Sequence, residues 1–187
     1  MKETEKILLI LDLDETLIHA TETKLEIDSD FQYVQYYVYK RPNLMKFLTE
    51  MNKYFKLAIW SSADDKYVND IVKLIKPAEI EFEFVWARSR CTPRRDYQLD
   101  KYVHEKRLKK VKKQGFKLEK TLIVDDSPKK TRDNFGNAIY ILPFEGNQKD
   151  NELNLLSEFL KTIKESENVR RIEKRGWRNI KTYNNNL

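Results

Sequence analysis

The chain has 187 residues, 36 of them Lys or Arg against 30 Asp or Glu, for a formal net charge of +6. One cysteine and two histidines exclude an internal disulfide framework and a Cys/His zinc cluster. No segment approaches the roughly 20 apolar residues that span a bilayer, and the apolar run in the opening MKETEKILLILDLDETL is too short, and too acidic downstream, for a signal peptide. The reading is therefore of an intracellular, cytoplasmic protein with no export signal, about two-fifths hydrophobic and able to bury a single core.

Ile7 to Leu11 is a continuous apolar run, the pattern of a strand buried on both faces. Lys24 to Lys40 is rich in Tyr and Val and partly alternating, which predicts a small hairpin. Arg41-Pro42 opens a helix in which Leu44, Phe47, Leu48 and Met51 share one face. Phe55 to Trp60 is a second strand, followed by a helix with Val68, Ile71, Val72 and Ile75 on one side. Strand and helix alternating at this spacing predict a parallel sheet with crossover helices.

Glu79 to Trp86 (EIEFEFVW) alternates strictly and predicts a half-exposed strand. Arg88 to Asp100 has no period and reads as a loop, and Tyr102 to Gln114 as a basic helix ending near Gly115. Thr121 to Val124 is a third buried strand and Ala138 to Leu142 a fourth. Leu156, Phe159, Leu160 and Ile163 mark a last amphipathic helix, and the chain beyond about Asn168 reads as a basic, polar tail. The division expected is a domain over 1–167 and a tail over 168–187. Charge is concentrated between Arg88 and Lys120, with 13 basic and four acidic residues. Such a block fits an anionic partner, or simply solvated lysine-rich surface.

Three predicted strands end in polar groups: Asp12 and Asp14, Ser61 and Ser62, Asp125 and Asp126. Ligands of open α/β sheets collect at the carboxyl ends of strands. Four carboxylates in a small space raise one another's pKa unless a cation intervenes, and oxygen-only donors select Mg²⁺ over zinc. A lone D-x-D could instead cap a helix. A calcium loop is disfavoured because the Gly and distant Glu of an EF-hand are missing at the proper offsets.

DLDETLIH, from Asp12 to His19, resembles the DxDx(T/V) signature of haloacid dehalogenase-like phosphatases, and more narrowly the FCP/SCP-type phosphoserine/phosphothreonine phosphatases. VYKRPNLMKFLTEMNKYFKLAIWSSADDKYV, EKRLKKV and LIVDDSP resemble the later motifs of that family, in the same order. The resemblance implies an α/β, Rossmann-like parallel sheet with flanking helices, a short hairpin flap and a small β insertion over the active site. It also implies Mg²⁺-dependent hydrolysis of phosphomonoesters through an aspartyl-phosphate.

In that scheme Asp12 is the nucleophile and Asp14 the general acid and base. Ser61, where many relatives carry Thr, binds a phosphoryl oxygen, with Ser62 a weaker candidate. The metal is held by the Asp12 side chain, the Asp14 backbone carbonyl and Asp126, a position that is often Asn in relatives. Asp125 lies behind them or binds through water. Thr16 orients the carboxylates or only starts a helix turn. Lys106 is the expected ammonium, because Leu108 and Val111 fall two and five places after it; counting back from LIVDDSP without gaps points to Lys109 instead. Arg88 and Cys91 resemble an R-x-x-C stretch of the family's insert, where Arg88 would meet substrate and Cys91 would pack.

The partner implied is a phosphorylated protein or peptide; the oligomeric state is left open by the sequence, a monomer being favoured. Phe82, Phe84 and Trp86 either line a peptide groove or join the core. Two alternatives stay open. One is a phosphatase of nucleic-acid ends or small metabolites, the basic block then tracking a backbone. The other is a phospho-ligand binding module without turnover, which the presence of both Asp12 and Asp14 disfavours.

Overall fold

A computed structural model describes residues 5–97, 100–134 and 136–179. Its centre is a five-stranded parallel sheet in the order β10-β9-β1-β5-β6. The strands are β1 (Leu8–Leu11), β5 (Lys56–Trp60), β6 (Val85–Trp86), β9 (Thr121–Asp125) and β10 (Ala138–Tyr140). The α/β class and mostly parallel sheet are those expected. Successive side chains of a strand point to opposite faces, and the core divides accordingly. Leu9, Leu11, Leu57, Ile59, Leu122 and Val124 face one side, Leu8, Ile10, Ala58, Trp60 and Ile123 the other.

The first side carries α1 (Leu44–Tyr54), α2 (Asp65–Ile75) and α5 (Glu152–Ile163), each presenting the apolar stripe read from its sequence. The Asp64 side chain caps α2 by accepting from the backbone N–H groups of Lys66 and Tyr67, at 3.0 and 3.3 Å. The second side is thinly covered, by the single turn α3 (Lys109–Lys112) with Leu108 and Val111, and by Trp86 and Phe84.

Beside the sheet lies a three-stranded antiparallel flap, β2 (Ile18–Thr21), β3 (Phe31–Tyr33) and β4 (Tyr36–Lys40), in the order β2-β4-β3. The expected hairpin is β3–β4, and the chain leaving the D-x-D motif adds a third strand to it. Val34 turns this hairpin at φ 52° with its side chain 81% exposed.

Four expectations are corrected. The alternating EIEFEFVW pairs as a strand only over Val85–Trp86; Ile80 is buried instead as part of the main core. The expected loop over 88–100 contains β7 (Thr92–Asp96). The expected helix over 102–114 begins as β8 (Lys101–Glu105), the antiparallel partner of β7, and is helical only over Lys109–Lys112. Lys106 thus lies in the segment between β8 and α3, not on one helix with Lys109 and Lys110. Finally, part of the expected polar tail is core. Val169 and Trp177 are 0% and 1% exposed, and the Trp177 indole N–H donates to the Tyr140 carbonyl at 3.0 Å. Residues 180–187 of that tail lie outside the described residues. Among the described residues no helix is long and apolar enough to cross a membrane.

Candidate active site

Adjacent strands β9, β1 and β5 end side by side, so the polar residues that follow them meet at one edge of the sheet. Asp12 follows β1 and is 1% exposed, its backbone N–H donating to the Val124 carbonyl at 2.9 Å. Ser61 follows β5, and its N–H donates to the Trp86 carbonyl at 2.9 Å. Asp125 ends β9, and Asp126 comes next. One carboxylate oxygen from each of Asp12, Asp125 and Asp126 lies within 4.8 Å of the others.

Lys106 is wholly buried, and its Nζ lies 2.6 Å from both Asp12 Oδ1 and Asp125 Oδ2. Lys109, the other lysine considered, is exposed on α3. Lys106 is positioned through its own backbone: its N–H donates to the Lys130 carbonyl at 2.7 Å, and its carbonyl accepts from the Asn134 side-chain amide at 2.5 Å. Burial alone would raise the Asp12 carboxyl, but the ammonium groups of Lys106 and then Lys130 outweigh it and hold Asp12 below the usual carboxylate range. Asp125 is raised to about 7, first by burial and then by the Asp12 charge.

Asp14 is turned away from this group. Its Oδ1 accepts from the Tyr67 hydroxyl at 2.6 Å and its Oδ2 from the Ser61 hydroxyl at 3.2 Å. Burial, with the Asp12 charge behind it, raises its pKa against the pull of these two hydrogen bonds. Ser61 Oγ also accepts the Ala63 N–H at 3.0 Å. Beyond Asp14 opens a cleft of about 450 Å³ lined by Tyr33, Tyr36, Ala63, Tyr67 and Arg88 among others. Arg88 is exposed there, and its Nε donates to the Ser62 carbonyl at 2.9 Å. Cys91 is buried, packed with Trp60 and Trp86 on the thin side of the sheet. Thr16 is buried too, and its hydroxyl has no hydrogen-bond partner among the described residues.

The donor set suits a hard divalent cation. Both oxygens of Asp125 are engaged, Oδ2 by Lys106 and Oδ1 by the Ser127 N–H at 2.8 Å. By contrast, Asp126 Oδ1 is buried and accepts no hydrogen bond among the described residues, and Asp12 meets only ammonium groups, Oδ1 at 2.6 Å from Lys106 and Oδ2 at 3.4 Å from Lys130. Asp126 and the Oδ2 side of Asp12, which face the partly exposed Lys130 rather than the sealed Lys106, are therefore the carboxylates that could hold a cation, with Asp125 anchoring Lys106 behind them.

Three residues were not singled out from sequence. Arg41 is 1% exposed and acts as a staple. Its guanidinium grips Asp150 through Nε and Nη2, each at 2.8 Å, and donates to the carbonyls of Thr16 at 3.0 Å and Leu142 at 2.8 Å. It thereby ties the turn after Asp14, where Glu15 takes the left-handed φ of 56°, to the segment before α5. Tyr67 sits one residue before the apolar stripe of α2 and carries no sequence mark. Lys130, the third, had one available signal, its i,i+4 spacing from Asp126.

A family profile described as NLI interacting factor-like phosphatase matches residues 7–170, most of the chain and all of this site. The chain belongs to the NLI interacting factor-like phosphatase family. It is 30% identical over 172 residues to CTD small phosphatase-like protein 2 of Dictyostelium discoideum, covering 88% of this chain and 29% of that one. It is 25% identical over 178 residues to carboxy-terminal domain RNA polymerase II polypeptide A small phosphatase 1 of Homo sapiens, covering 90% and 63% respectively. The chain thus spans between under a third and under two thirds of these relatives' own length. Among solved structures, Fcp1, described as an essential RNA polymerase II CTD phosphatase, superposes with a TM-score of 0.67 over 85% of this chain and 62% of that chain, at 17% identity. That likeness carries the fold, and the sequence matches carry the membership in a phosphatase family.

Proposed function

We propose that this family member is a Mg²⁺-dependent phosphomonoester hydrolase that acts on phosphoserine or phosphothreonine in proteins through an aspartyl-phosphate. The observation that carries the reading is the division of labour between two buried carboxylates. Asp12 sits against Lys106 just past the carboxyl end of β1, while Asp14 faces the cleft on hydrogen bonds from Tyr67 and Ser61. In this reading the Asp12 carboxylate attacks phosphorus and the phosphorus–ester oxygen bond breaks. Asp14 gives its proton to the departing serine or threonine oxygen. Asp14 then takes a proton from water, which attacks the same phosphorus and releases inorganic phosphate and Asp12.

Tyr67 and Ser61 keep the Asp14 carboxyl aimed at the leaving oxygen, and Lys106 keeps Asp12 ionised and in line. Asp12, Asp126 and the Asp14 backbone carbonyl would hold Mg²⁺, which would supply charge to relieve repulsion between Asp12 and the phosphate dianion. A protein substrate is supported by the names of the relatives and by the tyrosine-lined cleft beside Asp14. A nucleic-acid track is disfavoured by the fate of the basic block: Arg94 and Arg107 pair with Glu105, and Arg95 with Asp100. The proposal places the reaction inside the cell, in cytoplasm or nucleus.

The test is hydrolysis of an aryl phosphate by the native chain and by Asp12→Asn, with Mg²⁺ and with chelator. Metal-dependent turnover that Asp12→Asn lowers at least about 10³-fold is expected. Turnover surviving in Asp12→Asn removes the covalent route, and turnover in chelator removes the metal. Phosphoserine peptides set against 5′-phosphorylated oligonucleotides then decide substrate class, the peptides being the faster.

A further inference from the structure

Lys130 is a second ammonium at Asp12, and its position differs in kind from that of Lys106. It belongs to the single turn α4 (Pro128–Thr131) that follows Asp125, Asp126 and Ser127. Its Nζ lies 3.4 Å from Asp12 Oδ2 and 3.6 Å from Asp126 Oδ1. Lys106 is sealed between Asp12 and Asp125 with 0% of its side chain exposed, whereas the Lys130 side chain is 23% exposed and lies at the rim. The two lysines thus divide Asp12 between them, one to each oxygen. Lys106 bridges to the aspartate whose oxygens are already satisfied. Lys130 bridges to Asp126, which has a buried oxygen without a hydrogen-bond partner.

The pair spanned by Lys130, Asp12 and Asp126, is the pair that the proposed function assigns to Mg²⁺. An ammonium and a divalent cation cannot share two carboxylates at this range, because each repels the other while competing for the same oxygens. Lys106 has no route out. Lys130 has one, being a long, flexible side chain that already reaches solvent. We propose that Lys130 is a tethered counter-cation that neutralises Asp12 and Asp126 when the metal is absent and swings out when Mg²⁺ binds. Its backbone stays in place throughout, since its carbonyl holds the Lys106 N–H at 2.7 Å. The device keeps a surplus of buried carboxylate tolerable in the metal-free protein, and it weakens apparent metal affinity by the fraction of molecules in which the ammonium fills the site. This inference rests on the Mg²⁺ reading of the site.

The test is calorimetric titration of the full chain with Mg²⁺ alone, without substrate, in the native protein, Lys130→Met and Lys130→Arg. Lys130→Met is expected to bind Mg²⁺ at least about tenfold more tightly than the native chain, and Lys130→Arg to stay within about threefold of it. Thermal unfolding of the same proteins gives an independent readout. Without metal, Lys130→Met unfolds at a lower temperature than the native chain, and saturating Mg²⁺ raises its midpoint by more than it raises the native one. If the native chain and Lys130→Met bind Mg²⁺ equally well, or the variant binds less tightly, the competition is refuted while the metal site stands. If neither binds Mg²⁺, both readings fall together.

Discussion

Glu105 and Lys106 are neighbours in the chain, both are about 1% exposed or less, and they carry opposite charges, yet they are neutralised in opposite ways. Glu105 is surrounded by three arginines. Arg107 donates from Nε and Nη2 at 2.9 and 2.8 Å, Arg132 from Nε at 2.7 Å, and Arg94 lies at 3.6 Å. These arginines are 37 to 48% exposed, so their surplus positive charge rests in water. Lys106 meets two aspartates that are themselves buried, and with Asp126 beside them three carboxylates face two ammonium groups, those of Lys106 and Lys130. An anion over-neutralised by solvent-facing cations is a fastening. A cation outnumbered by buried anions is an incomplete site, and it calls for further positive charge.

The comparison can be broken most severely at Lys106. Lys106→Met leaves Asp12 and Asp125 buried without their shared ammonium, and should cost about 3–5 kcal/mol of stability, measured by urea unfolding without metal. It should also lower aryl phosphate hydrolysis by about 10²-fold or more. A variant as stable as the native chain would show that the aspartates are neutralised by something other than Lys106.

Glu105→Gln should cost less, about 1–2 kcal/mol at pH 7, because its partners are partly solvated, and it should leave hydrolysis unchanged in the folded enzyme. Its pH dependence has a definite sign. Burial would raise the Glu105 carboxyl, but Arg107 and Arg132 outweigh that and hold it below the ordinary value of 4.5. A carboxyl depressed in the folded state binds fewer protons than in the unfolded chain, so its contribution is complete above about pH 4.5 and is lost as pH falls through the folded value. The stability gap between native and Glu105→Gln should therefore be constant near neutrality and close under acid. A gap that widened on acidification would reverse the assignment.

The smallest effect sharpens the contrast between site and scaffold from outside both. Val34 holds a left-handed φ of 52° with its side chain 81% exposed at the tip of the flap. Such backbone is strained for a β-branched residue. Val34→Gly should stabilise the chain by about 0.5–1 kcal/mol in thermal unfolding, relief of the left-handed strain exceeding the entropic cost of glycine, and leave aryl phosphate hydrolysis as it was. If hydrolysis of phosphoserine peptides falls while the aryl ester is unaffected, the flap tip meets substrate beyond the phosphate.

What the residues alone determined were the parts whose cause is local. ILLILDLD, FKLAIWSS and TLIVDDSP each write an apolar strand and its polar end in one continuous stretch, so the sheet and the meeting of Asp12, Ser61 and Asp125 at its edge were legible. So were the apolar stripes of α1, α2 and α5, which repeat within a single helix. Tertiary structure decided the rest, because the deciding partner is distant in the chain. β7 and β8 are polar and carry no period, since their side chains are mostly exposed and only their mutual backbone pairing makes them strands. EIEFEFVW has the period of a strand, but its backbone reaches β5 only from Glu83 onward and is laddered with it only at Val85 and Trp86. Trp177 is one aromatic in a basic stretch until it meets Phe159 and the Tyr140 carbonyl. Lys106 was marked in the sequence only by its spacing to Leu108 and Val111, and Lys130 offered only its i,i+4 spacing from Asp126; what sets both apart from the other lysines is the low-dielectric pocket in which folding sets them against Asp12.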